Sequence, residues 1–422
     1  LERLPKQIKG QTPIFSQDTA LSDQLPRIEK EAGKITELLS MTYPLLKQYV
    51  DKSDHVESRY RFAHGDVGEA IRDLAAQITK STSGWMGRLE VLEDTLSEAL
   101  SDKNYQVPLP DIELFYQQAG NWLGRAEKLL ALWDRLHKEL QQNEMPMACW
   151  LRLDEGGGGN MDISINASPI QAAEILRQQL WGSCYAAVVT SATLRSLGNF
   201  NSLQRETGMP STASYLSVAG AFNYAEAATL RVPSDAVEGN SVEEHSRYIV
   251  DHFESMVEDR AGTLLLFSSK RQMEQVYDEL SRDMHKLILI QGQYSNREMV
   301  RLHKERIDQG RTSVLMGLAS FAEGVDLPGD YCKHVVIAKL PFAVPDDPLQ
   351  EALAEWIEDN GGNSFFDISL PIASLRLIQA CGRLLRTESD TGTVSILDKR
   401  LITKRYGGQL LNALPPFRRE IG

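Results

Sequence analysis

Three polar side chains near residue 380 have the types and spacing of a phosphate-binding surface. They are Gln379, Arg383 and Arg386, whose spacing would place them on one face of an α-helix. Guanidinium groups are planar and permanently charged, and they bind phosphate oxygens through paired hydrogen bonds. The spacing therefore predicts a helix face that binds a polyphosphate, and a solvated basic helix is the simpler alternative.

Two further clusters come directly after apolar runs that have the composition of buried strands. One consists of Glu323, Gly324 and Asp326, and the other of Thr190 and Ser191. Glycine lets a ligand approach the backbone closely, and carboxylates suit a ribose hydroxyl, a water or a cation. Because ligands of parallel sheets bind beyond the carboxyl ends of strands, both clusters are candidate ligand sites. An acidic turn or a hydroxyl cap would have the same composition.

The elements that would carry these side chains alternate from Gln171 onward. Apolar runs rich in Val, Ile and Leu predict strands at residues 186–190, 263–268, 287–291, 313–317, 334–338 and 392–397. Amphipathic stretches predict helices at residues 242–258, 272–283, 296–308 and 372–385. This alternation is typical of an α/β fold with a parallel sheet and helices on both of its faces.

Residues 21–140 have a different pattern, in which apolar side chains recur at helical spacing. The clearest stripe includes Phe115, Trp122 and Trp133. Such stripes predict a bundle of antiparallel helices, with no catalytic constellation visible among them. Residues 149–165 then have the pattern of a β-hairpin around a glycine-rich tip.

Composition and charge exclude several classes of protein. The 422 residues carry a formal net charge of −13, which argues against a protein that coats DNA non-specifically. Residues 376–405 nevertheless contain seven basic and three acidic side chains, a local basic surplus. No apolar run approaches the roughly 20 residues of a membrane-spanning helix. The four cysteines are scattered, which predicts reduced thiols in a cytoplasmic protein and no metal site.

The order of these motifs resembles that of the XPD/DinG branch of the superfamily 2 helicases. Residues 190–195, 320–326 and 382–386 match that branch, and residues 339–342 and 397–407 also fit it. The match covers essentially the whole chain. The resemblance implies an ATP-dependent 5′→3′ DNA helicase of DNA repair and the DNA-damage response, associated with the nucleoid in the bacterial cytosol.

The resemblance also implies a domain organisation. Residues 1–147 would form a helical arch, and residues 148–231 would form a hairpin and the returning part of a RecA-like motor domain 1. Residues 232–422 would form a RecA-like motor domain 2. ATP would bind in the cleft between the two motor domains.

Each candidate residue has a role that the resemblance implies. Arg386 would contact the γ-phosphate of ATP, supported by Arg383 and Gln379. The residues expected to line the nucleotide are Glu323, Gly324 and Asp326. The residues expected to contact DNA phosphates are Thr190, Ser191, Ser268, Ser269 and Ser320.

The chain departs from the family in its ATP-binding elements. Its Gly33-Lys34 pair is followed by Ile35, so the phosphate loop is missing, as are the DExH box and the cysteines of a 4Fe-4S cluster. We therefore expect the Mg²⁺ ligands and the cluster in an amino-terminal half of the same helicase. The expected partners are that half and single-stranded or forked DNA, and the chain alone should be inactive. The alternative is a nucleic-acid-binding or partner-docking module without ATPase activity.

The strand predicted near Val188 would have no parallel neighbours in this chain. Its apolar side chains would then be exposed, so we expect residues 148–230 to aggregate or to be cleaved early in limited proteolysis. Size-exclusion chromatography and mass spectrometry of the fragments measure both effects. A monodisperse, protease-resistant monomer would contradict this expectation.

Overall fold

The structure is a computed structural model of the chain. The described residues are 19–51, 59–102, 107–139, 145–155, 161–220, 222–342 and 347–422. The chain forms two compact units, which we name by their content. The helical unit comprises Leu1–Ile170 and Pro345–Asp359, and the sheet unit comprises Gln171–Val344 and Asn360–Gly422.

Three long helices form most of the helical unit. They are α1 (Thr19–Val50), α2 (Glu69–Ser101) and α3 (Leu109–His137). Their buried side chains recur at helical spacing and include the fully buried Trp85 and Phe115. The helical pattern predicted here is confirmed. Among the described residues, no helix is both long enough and apolar enough to cross a membrane.

A small antiparallel sheet belongs to the same unit. Its strands are β1 (Arg59–Phe62), β2 (Met147–Glu155) and β3 (Met161–Pro169), in the order β1-β2-β3. Because β2 and β3 pair along their whole length, the predicted hairpin is confirmed. The tip of the hairpin, residues 156–160, lies outside the described residues.

A seven-stranded sheet forms the centre of the sheet unit. Its strands are β4 (Ala228–Val232), β5 (Gly262–Phe267), β6 (Ile288–Ile290), β7 (Ser313–Leu318), β8 (His334–Ile337), β9 (Gly392–Ile396) and β10 (Arg418–Ile421). Their order is β10-β4-β9-β8-β5-β7-β6, and every neighbouring pair is parallel. The predicted α/β fold is therefore confirmed, and β4 and β10 are additions that the sequence patterns did not reveal.

The remaining helices vary from one to four turns. They are α4 (Ala173–Leu176), α5 (Asn201–Thr207), α6 (Tyr224–Ala227), α7 (Val242–Met256), α8 (Lys270–Glu279), α9 (Arg282–His285), α10 (Asn296–Asp308), α11 (Ala319–Glu323), α12 (Pro348–Asp359), α13 (Leu370–Cys381), α14 (Arg400–Thr403) and α15 (Gly407–Ala413). All of them belong to the sheet unit except α12, which belongs to the helical unit.

Helices cover both faces of the parallel sheet. Leu264 of β5 packs in one core with Leu377 of α13, and the next residue, Leu265, packs in another with Phe253 of α7. Successive residues of a strand point to opposite faces, so these cores lie on the two sides of the sheet. Burial on both sides explains why the sequence of each strand is a continuous apolar run.

The strand predicted at residues 186–190 is not formed. These residues have no regular secondary structure, and Val188 is 92% exposed. A strand needs a hydrogen-bonded neighbour, and none of the described strands pairs with this segment. A second exposed apolar segment contains Leu216 and Val218.

Two histidines are buried beside the parallel sheet. His303 Nε2 donates to the carbonyl oxygen of Tyr331 at 2.8 Å, and His334 Nδ1 donates to that of Met256 at 2.8 Å. Burial lowers the pKa of each imidazole to about 4. The neutral form is therefore the one that the fold accommodates.

Acid should consequently destabilise the sheet unit. An unfolded histidine titrates near 6.5, so the unfolded chain binds more protons between about pH 6.5 and pH 4. Stability present above pH 6.5 should fall by on the order of 2 kcal/mol per histidine by pH 5. Urea unfolding at several pH values measures this loss. The variants His303→Gln and His334→Gln should flatten the pH dependence, and an unchanged slope in both would contradict the assignment.

Candidate functional site

The two candidate arginines lie in a turn and do not share a helix face. The helix α13 ends at Cys381, whereas the sequence pattern predicted a helix to residue 385. The chain turns there because Leu384 and Leu385 are buried in the core of the sheet unit. The prediction that Gln379, Arg383 and Arg386 occupy one helix face is therefore wrong.

A buried carboxylate fixes the shape of this turn. Asp390 is 3% exposed and accepts hydrogen bonds from the backbone N–H groups of Arg386 (2.7 Å), Thr387 (2.8 Å) and Gly329 (3.0 Å). The hydroxyl of Thr387 donates to it as well, at 2.7 Å. Burial raises the pKa of Asp390, but these hydrogen bonds outweigh that effect and lower it below the ordinary value. We call residues 382–387 the arginine turn. Asp390 ties this turn to the loop that precedes β8.

The arginine turn directly contacts the loop of residues 324–326, which contains the candidate nucleotide-binding residues Gly324 and Asp326. Arg386 Nε lies 2.6 Å from Asp326 Oδ1, and Arg383 Nη1 donates to the carbonyl oxygen of Val325 at 3.4 Å. The side chains of Arg386 and Asp326 are 37% and 66% exposed. Ion pairs this exposed contribute roughly 0–1 kcal/mol, so a stronger anion can replace Asp326 as the partner of Arg386.

A groove of about 460 Å³ adjoins this contact. Ser320, Gly324 and Asp326 line one side of it, and Arg297 and Lys304 of α10 line the other. These two cations were not among the residues predicted from the sequence motifs. Their separation of seven residues, or two helical turns, was the available signal, because it places both on one face of a predicted helix.

The other candidate residues have less defined surroundings. Gln379 is half-buried on α13, and the side chain of Glu323 lies outside the described residues. Ser268 and Ser269 are exposed after β5, where Ser269 Oγ accepts a hydrogen bond from Gln272 N and caps α8. Thr190 and Ser191 do not follow a strand, contrary to the prediction, because residues 186–190 are not paired.

A second polar centre lies where β8 and β9 end. The fully buried Asp398 accepts hydrogen bonds from Leu340 N at 3.0 Å and from the guanidinium of Arg400. The Arg400 guanidinium carbon also lies 5.7 Å from the ring centre of Phe342, which packs against Tyr406. Aromatic rings beside cations are typical of surfaces that stack nucleic-acid bases.

The described residues contain no group of three or more His, Cys, Asp or Glu side chains that could hold a metal ion. Cys149, Cys332 and Cys381 are buried, and burial raises their pKa values to about 11, 12 and 12. Metals and electrophiles react with the thiolate, so these three thiols are inert at neutral pH.

The arginine turn and strands β5–β9 of the parallel sheet lie within a matched helicase C-terminal domain. Residues 253–417 match the family model of that description. ATP-dependent DNA helicase DinG of Photobacterium profundum is 34% identical over 99% of this chain and 63% of its own length. DinG of Escherichia coli K12 is 32% identical over 93% of this chain and 54% of its own length. These matches support a helicase C-terminal portion of the DinG type, and the chain spans less than two thirds of the length of either relative.

Among solved structures, Xpd4 of S. tokodaii aligns over 100% of this chain and 70% of its own. The TM-score is 0.48 at 13% sequence identity.

The variant Asp390→Ala tests the anchor of the arginine turn. It leaves three backbone N–H groups without their acceptor, so we expect the free energy of unfolding of the sheet unit to fall by about 3 kcal/mol. Chemical denaturation measures this change. Asp330→Ala is the matched control, since that side chain is 73% exposed. Equal effects of the two substitutions would show that Asp390 does not anchor the turn.

Proposed function

We propose that this chain supplies the second motor domain and the arch of a DinG-type, ATP-dependent DNA helicase. The observation that carries the proposal is the 2.6 Å contact between Arg386 and Asp326, which joins two motifs 60 residues apart. The helicase C-terminal domain match and the DinG relatives support it. In this proposal residues 1–147 are the arch, residues 148–231 return to motor domain 1, and residues 232–422 are motor domain 2.

Arg386 is the residue that we place at the γ-phosphate. A triphosphate carries more negative charge than one carboxylate, so it competes well with Asp326 for the guanidinium. ATP supplies the phosphoryl group whose transfer to water drives the motor. Arg386 would neutralise charge that develops during this transfer, an effect worth roughly 10³–10⁵ in turnover.

The neighbouring residues position Arg386 and the nucleotide. Arg383 holds the loop through the carbonyl oxygen of Val325. In this proposal Gln379 of α13 supports Arg386. In this proposal Gly324, Asp326 and Glu323 line the nucleotide. In this proposal the Mg²⁺ ligands and the 4Fe-4S cluster belong to the amino-terminal half of the helicase.

The proposed nucleic-acid track combines hydroxyls, cations and aromatic rings. Ser320, Arg297 and Lys304 line the groove beside Asp326, and a DNA phosphate would fit between the hydroxyl and the two cations. Phe342 and Tyr406 offer rings for stacking bases. The weaker candidates for contacts with DNA phosphates are Ser268, Ser269, Thr190 and Ser191. The family suggests single-stranded or forked DNA and 5′→3′ movement, in the bacterial cytosol near the nucleoid.

The proposed partner of this chain is an amino-terminal half that holds the phosphate loop. Val188, Leu216 and Val218 are 92%, 83% and 79% exposed in segments without strand partners. Such large apolar side chains are costly to leave in water. In this proposal, strands from the amino-terminal half cover these apolar segments and complete the sheet of motor domain 1.

ATP hydrolysis stimulated by single-stranded DNA tests the proposal. We expect no activity from the chain alone, activity when it is co-expressed with a DinG-type amino-terminal half, and a loss of about 10³-fold or more for Arg386→Ala. A coupled assay of phosphate release measures the rates. Arg311→Ala is the matched control, since that arginine bonds to Gln309 and does not line the groove.

Two results would count against the proposal. Activity of the chain alone would show that the missing phosphate loop is not required. Inactivity of the pair, with DNA binding retained in Arg386→Ala, would favour the nucleic-acid-binding or docking module instead.

A further inference from the structure

Four aromatic side chains of the sheet unit pack against one another beyond the carboxyl end of β8. Phe342 follows β8, Phe365 and Phe366 precede α13, and Tyr406 precedes α15. The ring centres of Phe342, Phe365 and Tyr406 lie 5.1 to 5.6 Å from one another, and that of Phe366 lies 5.2 Å from Phe365. These spacings are those of rings in direct contact. We call these four residues the aromatic cluster.

Phe366 is the outermost ring of the aromatic cluster. Phe342, Phe365 and Tyr406 are partly buried and pack against the core of the sheet unit. Phe366 is 46% exposed, and its ring plane meets that of Phe365 at 87°. The three inner rings therefore support Phe366 from behind, and the surface of Phe366 is the one that a ligand can cover.

The backbone that carries Phe366 is held in place. Residues Phe365–Ser369 form a π-helical turn, a geometry that occurs frequently at functional sites. Phe366 N donates to Asn363 Oδ1 at 3.2 Å, and Asn363 N donates to Asp367 Oδ2 at 3.0 Å. Ile368 is buried and anchors the turn. Because the ring is presented from an ordered turn, covering it costs little conformational entropy.

Cations lie beside the aromatic cluster. The guanidinium carbon of Arg400 lies 5.7 Å from the centre of the Phe342 ring, and the Arg400 side chain is only 12% exposed, so it supports the rings from within. Lys404 and Arg405 are exposed and directly precede Tyr406. A nucleobase offers a flat apolar face and is joined to phosphates. Exposed aromatic and cationic groups in one place therefore fit single-stranded nucleic acid better than an apolar peptide.

We propose that Phe366 stacks on a base of single-stranded nucleic acid and that the aromatic cluster is a base-binding site of the sheet unit. The inference rests on the proposed function, which places single-stranded DNA on this chain, and it adds the residue that contacts the base. Every base has a flat face, so this site binds without sequence preference.

Fluorescence anisotropy of labelled oligonucleotides with the 422-residue chain tests the inference. One probe is an oligothymidine, and the other has the same length and the same phosphates but abasic sugars. Phe366→Ala should weaken binding of the oligothymidine by about tenfold and leave binding of the abasic probe unchanged. Phe366→Trp should bind both probes as the wild type does, because an indole also stacks on bases.

Tyr43→Ala is the matched control, since Tyr43 is an aromatic residue of α1 that is 40% exposed in the helical unit. It should bind both probes with wild-type affinity. An equal loss for both probes in Phe366→Ala would overturn the inference, because a stacking contact affects only the probe that has bases.

Unchanged binding of the oligothymidine by Phe366→Ala would overturn it too, and would leave Phe366 to a protein partner. In that case the proposed function stands, because the wild-type chain still binds DNA. If the wild-type chain binds neither probe, the DNA-binding part of the proposed function fails and this inference fails with it.

Discussion

The hydrogen bonds to Asp390 hold the arginine turn beside the loop that carries Asp326. The carboxylate is buried and collects donors from both segments, so neither can shift alone without leaving polar groups unpaired. The parallel sheet provides the frame, because the turn precedes β9 and the loop precedes β8. The position of Arg386 thus depends on a contact that no recognised motif contains.

Two of the ion-pair systems among the described residues differ in exposure, which sets how easily each can exchange its partner. The Arg386–Asp326 pair is exposed and exchangeable, as a ligand-binding arginine requires. Arg61 of β1 pairs with Glu351 and Glu355 of α12 inside the helical unit, and these pairs are half-buried and supported by apolar packing, as a docking contact requires.

The sequence predicted the parallel sheet well because burial on both faces leaves continuous apolar runs such as β5 and β7. It failed at residues 186–190, where the same composition forms no strand because no neighbour is available. It also failed at the end of α13, where burial of Leu384 and the hydrogen bonds from Arg386 and Thr387 to Asp390 override helical spacing. The docking of α12 was beyond prediction, because Arg61 and Glu355 are 294 residues apart.

The most direct measurement is a crystal structure of the two-half protein with a non-hydrolysable ATP analogue. Our account predicts that the Arg386 guanidinium leaves Asp326 and lies about 2.7–2.9 Å from a γ-phosphate oxygen. It also predicts that the hydrogen bonds to Asp390 are unchanged. A bound nucleotide with Arg386 still paired to Asp326, and no other change at the turn, would contradict the role that we assign to this arginine.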